Sequence, residues 1–308
     1  MSSIQKEPLV SIVIPTYNQA CFLDKALESV FAQSFPFWEI IIVNNYSTDN
    51  TIEVINNYSD PRIHLINIHN NGIIAASRNK GIFHAKGKWI AFLDSDDTWY
   101  PEKLERCLQE IEKTDADAVC HGECWTRPDG YNRDVVYGPE TRASYKSLLY
   151  DGNCISTSAV VVRRCLLEKV GLFSEEQNLV TAEDYDLWLK LSKNRMKILF
   201  ISDILGEFRI HPDGNSQSVM RNTSAIMNVI EKHYSELKEK TVLDKFRFKR
   251  AKSLVLYGGG RGLQKQNHRY DTFKLFLQSI LMYPFILRVY IAVFINCLPN
   301  SLKIKLQR

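Results

Sequence analysis

No CxxC pair occurs among the seven cysteines, and their number is odd, so neither a disulfide framework nor a paired-thiol site is expected. Scattered thiols of this kind point to a reducing compartment. The one close cluster, Cys120-His121 with Cys124, lacks a second ligand pair at finger-like spacing, which favours ordinary buried thiols over zinc. Met1 to Pro8 contains no apolar core of a signal peptide, and a cytoplasmic location is expected. There is no P-loop. The run Gly258-Gly259-Gly260-Arg261-Gly262 breaks the GxGxxG spacing at Leu263 and has no strand-to-helix context, which excludes a dinucleotide fingerprint. Internal repeats and low-complexity tracts are absent, and no nucleic-acid partner is expected.

Long apolar runs are also missing. The richest stretch, Phe273 to Leu298, is interrupted by Lys274, Gln278, Pro284, Arg288 and Asn296, short of the roughly 20 apolar residues a spanning helix needs. Two amphipathic helices broken at Pro284 are expected instead. They either lie on an anionic membrane surface or form a helical lid with solvated charges. The modest net charge of +4 hides an asymmetry: residues 245–308 hold thirteen Lys and Arg against the single acid Asp271, so the preceding 244 residues carry a net −8. Tail and body are electrostatically different objects.

What is present is a folded chain, 45% hydrophobic and 24% charged, in which strands and helices alternate over residues 9–113. Val10 to Ile14 reads as a first strand, with a helix through Asp24 to Val30 and a second strand at Ile40 to Val43. Ser47 or Thr48 is expected to cap a helix containing Ile52, Val54 and Ile55. Ile63 to Ile66 is a third strand, and Asn70-Asn71-Gly72 turns the chain into a helix over Ala75 to Ala85. Such alternation is the mark of βαβ units around a parallel sheet. The fourth strand, Trp89-Ile90-Ala91-Phe92-Leu93, ends abruptly in Asp94-Ser95-Asp96-Asp97. Three carboxylates at the carboxyl end of a buried strand repel one another unless a cation sits among them, and Mg²⁺ or Mn²⁺ suits that position together with a bound phosphate. An acidic turn capping the next helix, with Asp97 or Thr98 as N-cap before Pro101, is the alternative.

Taken in order, these pieces resemble the family-2 glycosyltransferases. Ile14-Pro15-Thr16-Tyr17-Asn18 is similar to the family's first-strand motif, and Val43-Asn44-Asn45-Tyr46-Ser47-Thr48-Asp49-Asn50-Thr51 to its second-strand loop. Gly72 with Ser77-Arg78-Asn79-Lys80-Gly81 is similar to the central helix, and Leu93-Asp94-Ser95-Asp96-Asp97 to the DXD element. Asn153 to Ser158, Val161-Val162-Arg163-Arg164, Glu183-Asp184-Tyr185-Asp186-Leu187-Trp188 and Phe208-Arg209-Ile210-His211-Pro212 continue the match over residues 9–215. The resemblance implies an α/β GT-A (Rossmann-like) fold, with a mixed, mostly parallel central sheet flanked by helices. On that basis residues 1–215 are the catalytic domain and 216–308 a basic, apolar helical extension.

It also implies a reaction, inverting transfer of a sugar from a nucleotide-diphosphate donor to a hydroxyl; the basic, apolar tail and the cysteine usage point to a glycan or lipid-linked glycan acceptor, in cell-surface polysaccharide synthesis at the inner membrane face. Asp96 is expected to contact the metal, Mn²⁺ or Mg²⁺, with Asp94 facing ribose or metal and Asp97 in support. His211 completes the metal sphere in this reading; a solvated loop histidine is the alternative. Glu183-Asp184 opens an amphipathic helix with Trp188, Leu189 and Leu191 inward, where acids in a first turn ordinarily complement the helix dipole. The resemblance instead makes Asp184 the general base, with Glu183 in support. Pro15, Thr16, Tyr17, Asn18, Asn44, Arg78 and Ser95 are the remaining donor-binding candidates. Arg78 is read as forking onto a phosphate or onto an acid of the DXD element, against an exposed helix residue in an ordinary salt bridge. The chain departs from the family where Asn44 and Asn45 replace an expected Asp and where Tyr46 replaces a small residue, which leaves the preferred nucleobase open.

Two other classes fit parts of the pattern. Asp94-Ser95-Asp96-Asp97-Thr98 satisfies the DxDx[TV] motif of haloacid-dehalogenase-like phosphatases, with Asp94 as nucleophile, but that motif follows the first strand of its domain. A non-catalytic nucleotide-sugar-binding protein is the other.

Overall fold

A computed structural model describes residues 7–211 and 218–298, so Pro212 and the tail beyond Leu298 lie outside the described residues. The chain divides into two compact units. The first comprises residues 1–145, 153–177 and 183–214; the second comprises 146–152, 178–182 and 215–308, so two short excursions of the amino-terminal half group with the carboxyl-terminal helices.

The elements run β1 (Val10–Thr16), α1 (Ala20–Phe31), β2 (Trp38–Asn44), α2 (Thr51–Asn56), β3 (Ile63–Asn67), α3 (Ile74–His84), β4 (Trp89–Phe92), β5 (Thr98–Trp99) and α4 (Lys103–Thr114). They continue with β6 (Ala118–Thr126), β7 (Asn132–Val135), α5 (Tyr145–Asp151), β8 (Val160–Arg163), α6 (Arg164–Lys169), α7 (Glu183–Lys193) and β9 (Ile198–Arg209). One mixed sheet forms in the order β3-β2-β1-β4-β8-β6-β9-β5, with β7 paired to β6. The β3-β2-β1-β4 block is parallel, and all seven residues of both β1 and β2 are buried, as expected for strands covered on both faces. Leu23, Ala26, Leu27 and Val30 repeat at helical spacing along α1 and bury against Ile12, Ile14, Ile40 and Ile42.

The chain leaves β3 at the sheet edge, crosses through α3 and enters β4 on the far flank of β1. The carboxyl ends of β1 and β4 therefore diverge into loops at a switch point, where open α/β sheets gather ligands. Helix α3 lies very close to β1: a Cβ on Gly81 would fall 2.4 Å from Val13 Cγ1. Its first turns, carrying Ser77 and Arg78, are thus pressed toward the ends of the central strands.

Two capping expectations are corrected. Ser47 and Thr48 do not cap α2; Asn50 takes the N-cap position, and Asp49 Oδ1 accepts hydrogen bonds from the Thr51 N–H (3.1 Å) and hydroxyl (2.5 Å). Ser47 is drawn instead to Asn44 Oδ1, its hydroxyl 2.6 Å away. Neither Asp97 nor Thr98 caps α4, because Thr98 enters β5 and Glu102 precedes the helix.

The second unit is helical, with α5 joined by α8 (Val219–Ser235), α9 (Val242–Lys265), α10 (Arg269–Met282) and α11 (Leu287–Cys297). Pro284 falls in the break between α10 and α11, as its missing N–H and fixed φ require. Thr241 and Asp244 form a reciprocal capping box at the start of α9, and Asp244 also accepts from Lys146 Nζ (2.9 Å) and the Tyr150 hydroxyl (3.0 Å). The glycine run is a packing device: a Cβ on Gly259 would meet Thr223 Oγ1 at 2.4 Å, and one on Gly260 would meet Phe276 Cε1 at 2.4 Å. No helix of the described residues is long and apolar enough to cross a membrane.

Candidate active site

The site is built where β4 ends. The Asp97 N–H donates to the Asp94 carbonyl (3.0 Å), closing a tight acidic turn. Its three carboxylates have separate partners. Asp94 Oδ1 receives Arg78 Nη2 at 2.7 Å, and Asp96 Oδ2 lies 2.9 Å from His211 Nε2. Asp97, almost fully buried, accepts from the Ser158 hydroxyl (2.6 Å) and the Arg209 N–H (3.0 Å). The Ser158 hydroxyl oxygen also accepts the Asp94 N–H at 3.2 Å, so one side chain supports two of the acids. Ser95 is buried and donates its hydroxyl to Gln19 Oε1.

Crowding of like charge shows in the acidities. Burial, then Asp94, raises the Asp96 carboxyl above its ordinary range against the pull of His211. Burial, then Asp96, Glu123 and Asp94, raises Asp97 further.

Arg78 is 4% exposed, which removes the reading of it as a solvated helix residue. Its guanidinium forks, Nη1 to Glu183 Oε1 at 2.7 Å and Nη2 to Asp94 Oδ1 at 2.7 Å. Burial alone would favour the neutral form, but Asp94 and Glu183 more than offset it and raise the pKa. The bridge ties the acidic turn to the first turn of α7, where Asp184 follows Glu183. Tyr185 N–H donates to Asp184 Oδ1 (2.7 Å) and the Thr157 hydroxyl to Oδ2 (3.2 Å). Burial, then Glu183, pushes the Asp184 carboxyl up to about 6, despite Arg78. Trp188, Leu189 and Leu191 are buried and anchor α7 behind it.

His211 is a buried histidine, 6% exposed, not a solvated one. Its ring lies 4.7 Å from that of Phe22, and its buried Nδ1 has no hydrogen-bond partner among the described residues. Asp96 and His211 bring one oxygen and one nitrogen donor to a single point from positions 115 residues apart. Among the described residues no group of three or more His, Cys, Asp and Glu side chains is arranged to hold a metal. The donor pair, one carboxylate oxygen and one imidazole nitrogen, fits a hard cation that keeps its other positions for phosphate oxygens and water. The zinc alternative at Cys120, His121 and Cys124 fails: strand alternation along β6 puts His121 on the face opposite both thiols, and its Nδ1 sits 2.7 Å from the Gly122 carbonyl.

Beside the turn, the loops after β1 and β2 are laced together. The Asn18 N–H donates to the Ser47 hydroxyl (2.9 Å), and Asn18 Oδ1 accepts from the Thr48 N–H (2.7 Å), which fixes Asn18 at φ 51°. Pro15 lies opposite Val43 in the buried β1–β2 pairing, and Thr16 Oγ1 is buried with no partner among the described residues. Asn44 is 1% exposed; its Nδ2 donates to Asn67 Oδ1 (2.7 Å) and its Oδ1 accepts from the Ser47 N–H (3.1 Å), so its amide braces the loop after β2. The exposed aromatic rings here are Tyr17 and Tyr46, the latter stacked on His69 with ring centroids 4.0 Å apart. Ser158, Thr157 and Gln19 complete the site without having been given roles from the sequence; Thr157 and Ser158 fall inside a motif segment, but nothing local shows which carboxylates they meet.

A mixed sheet with a parallel block flanked by helices, its fourth strand ending in an acidic turn at the switch point, is the arrangement of the GT-A fold. A solved structure of S. aureus TarS with UDP-GlcNAc matches with a TM-score of 0.64 at 19% identity, over 93% of this chain and 84% of that one. The mannosyltransferase PcManGT from Pyrobaculum calidifontis, solved with GDP-Man and Mn²⁺, matches with a TM-score of 0.62 at 16% identity, over 94% and 84%. Residues 11–171 match the model of glycosyl transferase family 2, and the chain belongs to that family. It is 33% identical to a Bacillus subtilis protein named putative teichuronic acid biosynthesis glycosyltransferase TuaG, over 66% of this chain and 80% of that one. The chain is therefore a glycosyltransferase, and with the acidic motif following a fourth strand rather than a first, the phosphatase alternative falls away.

Proposed function

We propose that the chain moves a sugar, with inversion, from a nucleotide diphosphate to a hydroxyl of a cell-surface glycan or its lipid-linked precursor, working at the inner face of the cell membrane. The observation that carries this reading is the Arg78 bridge, which holds Asp184 next to the acidic turn through two 2.7 Å contacts. Donor-side acids and a candidate base thereby share one site.

Asp184, ionised, takes the proton of the acceptor hydroxyl as its oxygen attacks the anomeric carbon opposite the departing diphosphate, a single displacement that inverts configuration. A carboxyl raised to about 6 is a stronger base than an ordinary aspartate and is still ionised at neutral pH. The Thr157 hydroxyl and Tyr185 N–H orient its two oxygens. Asp96 and His211 are the groups that would hold Mn²⁺ or Mg²⁺, which when bound supplies Lewis-acid neutralisation of the leaving diphosphate. Asp94, fixed by Arg78, faces the donor ribose, and Ser95, Asn18 and Thr16 shape the backbone around the nucleotide, with Tyr17 offering an exposed ring to the base.

The donor class is supported by the nucleotide sugars in the two solved structures, the metal by Mn²⁺ in one of them, and the cell-surface acceptor by the name of the B. subtilis relative. The test is a panel of UDP-, dTDP- and GDP-sugars with Mn²⁺ or Mg²⁺, read by binding and by release of nucleoside diphosphate. One donor class is expected to bind and turn over only with metal; turnover of none, or metal-independent turnover of all, overturns the reading.

A further inference from the structure

The last two helices of the second unit carry a second set of large apolar side chains on the outside. Along α10 the exposed residues include Tyr270, Phe273, Leu277 and Leu281, a stripe at helical spacing, whereas Thr272, Leu275, Phe276 and Ser279 are buried. Along α11 the exposed set includes Leu287, Tyr290, Ile291 and Phe294, while Val289, Ala292 and Asn296 are buried. Leu281 and Phe285 are 76% and 75% exposed. The helices are joined by a small apolar core of Phe276, Val289 and Ala292 and by polar groups: Ser253 and Ser279 bond at 2.8 Å, Gln264 donates to the Ala292 carbonyl at 3.0 Å, and Asn296 donates to the Arg269 carbonyl at 3.1 Å. Water selects polar residues for the outer face of a packed helix. Bulky apolar groups on that face, in addition to a filled interior, suit helices whose outer medium is lipid. No described helix is long and apolar enough to span, so the surface belongs in the interface plane.

Charge selects the occupant. Residues 245–298 hold ten Lys and Arg against Asp271 alone, and pairing of Arg247 and Arg250 with Asp151 and of Lys252 with Glu231 leaves the balance positive. A second copy would set this charge against itself, whereas an anionic bilayer meets it with the opposite sign. A groove of about 600 Å³ lies on the same surface, walled by Leu254, Phe285, Leu287 and Ile291 with Arg250 and Arg288 on its lining. The Arg288 guanidinium is 5.0 Å from the Tyr257 ring centroid, and Arg250 bonds Asp151 at 2.9 Å. Guanidinium groups beside an apolar wall match a lipid phosphate and the first carbons of its chain.

We propose that the outer face of α10 and α11 seats this chain on an anionic phospholipid surface, with Leu281, Phe285 and Phe294 entering the acyl boundary and Arg288 and Lys274 meeting headgroup phosphates. The proposal rests on the membrane-face reading above and names the surface and the lipid class. The test is cosedimentation of the full chain with phosphatidylcholine vesicles, with and without phosphatidylglycerol. Binding is expected to rise about tenfold with phosphatidylglycerol, and to fall about tenfold in a Leu281→Asp, Phe285→Asp, Phe294→Asp variant. Arg288→Glu is expected to lower the phosphatidylglycerol preference. In a Phe285→Trp variant, added vesicles should shift the emission to the blue and brominated lipid should quench it. Equal partition to neutral and anionic vesicles, wild-type binding by the triple variant, or loss of self-association in that variant without vesicle binding by the wild type would each overturn it. Nucleotide-sugar turnover in solution, measured on the same variants, separates the two readings: it stays unchanged if only membrane seating is lost, and its absence in a vesicle-binding wild type contradicts the catalytic reading alone.

Discussion

Asp184 is held by opposing influences: burial and Glu183 raise its carboxyl to about 6, while Arg78, Tyr185 and Thr157 pull the other way. As a base it acts ionised, so kcat/KM should be level at neutral pH and fall about tenfold per pH unit below about 6, measured with a soluble acceptor. A limb near pH 4 would show that this carboxyl is not the base. Stability carries the opposite sign. The folded state binds this proton more tightly than the unfolded chain, so ionisation costs native stability as pH rises through the window from about 4 to about 6. Asp184→Asn should therefore gain about 2 kcal/mol in urea unfolding at pH 7 and little at pH 4. Arg78 is the converse case. Arg78→Met leaves Asp94 and Glu183 without their shared cation and should cost about 3–5 kcal/mol, whereas Arg78→Lys cannot span both acids and should recover only part of it.

At the scale of elements, local pattern made the frame readable. Alternation of apolar runs and amphipathic stretches gives β1 through β4, and a buried strand ending in acids is recognisable without a partner in view. Contacts made across the fold were not readable. Arg78 and Glu183 are 105 residues apart, Ser158 reaches Asp97 across 61, and the Asn44 amide donates to Asn67 on the next strand. Periodicity gives amphipathic helices at α10 and α11 but does not decide between a lid and a surface helix; that Tyr270, Phe273, Leu277 and Leu281 are exposed is seen only in the fold. The glycines of α9 were legible only as a failed nucleotide motif. Their use is close helix approach, and Gly260→Ala, whose Cβ would fall 2.4 Å from Phe276 Cε1, should cost about 1–3 kcal/mol, read as a lower Tm.

At the scale of the whole molecule, residues 1–244 are net acidic and residues 245–308 net basic, and the proposals above give the chemistry to the first unit and a surface contact to the helices of the second. The central claim is that the donor is held at Asp96 and the acceptor proton leaves through Asp184. It is tested most directly by measuring Mn²⁺-dependent nucleotide-sugar binding and sugar transfer side by side in Asp96→Asn and Asp184→Asn. The account predicts that Asp96→Asn weakens donor binding about tenfold or more, while Asp184→Asn binds donor as the wild type does and loses transfer by about 10²–10⁴-fold. Equal loss of donor binding in both variants, or transfer surviving in Asp184→Asn, would contradict it.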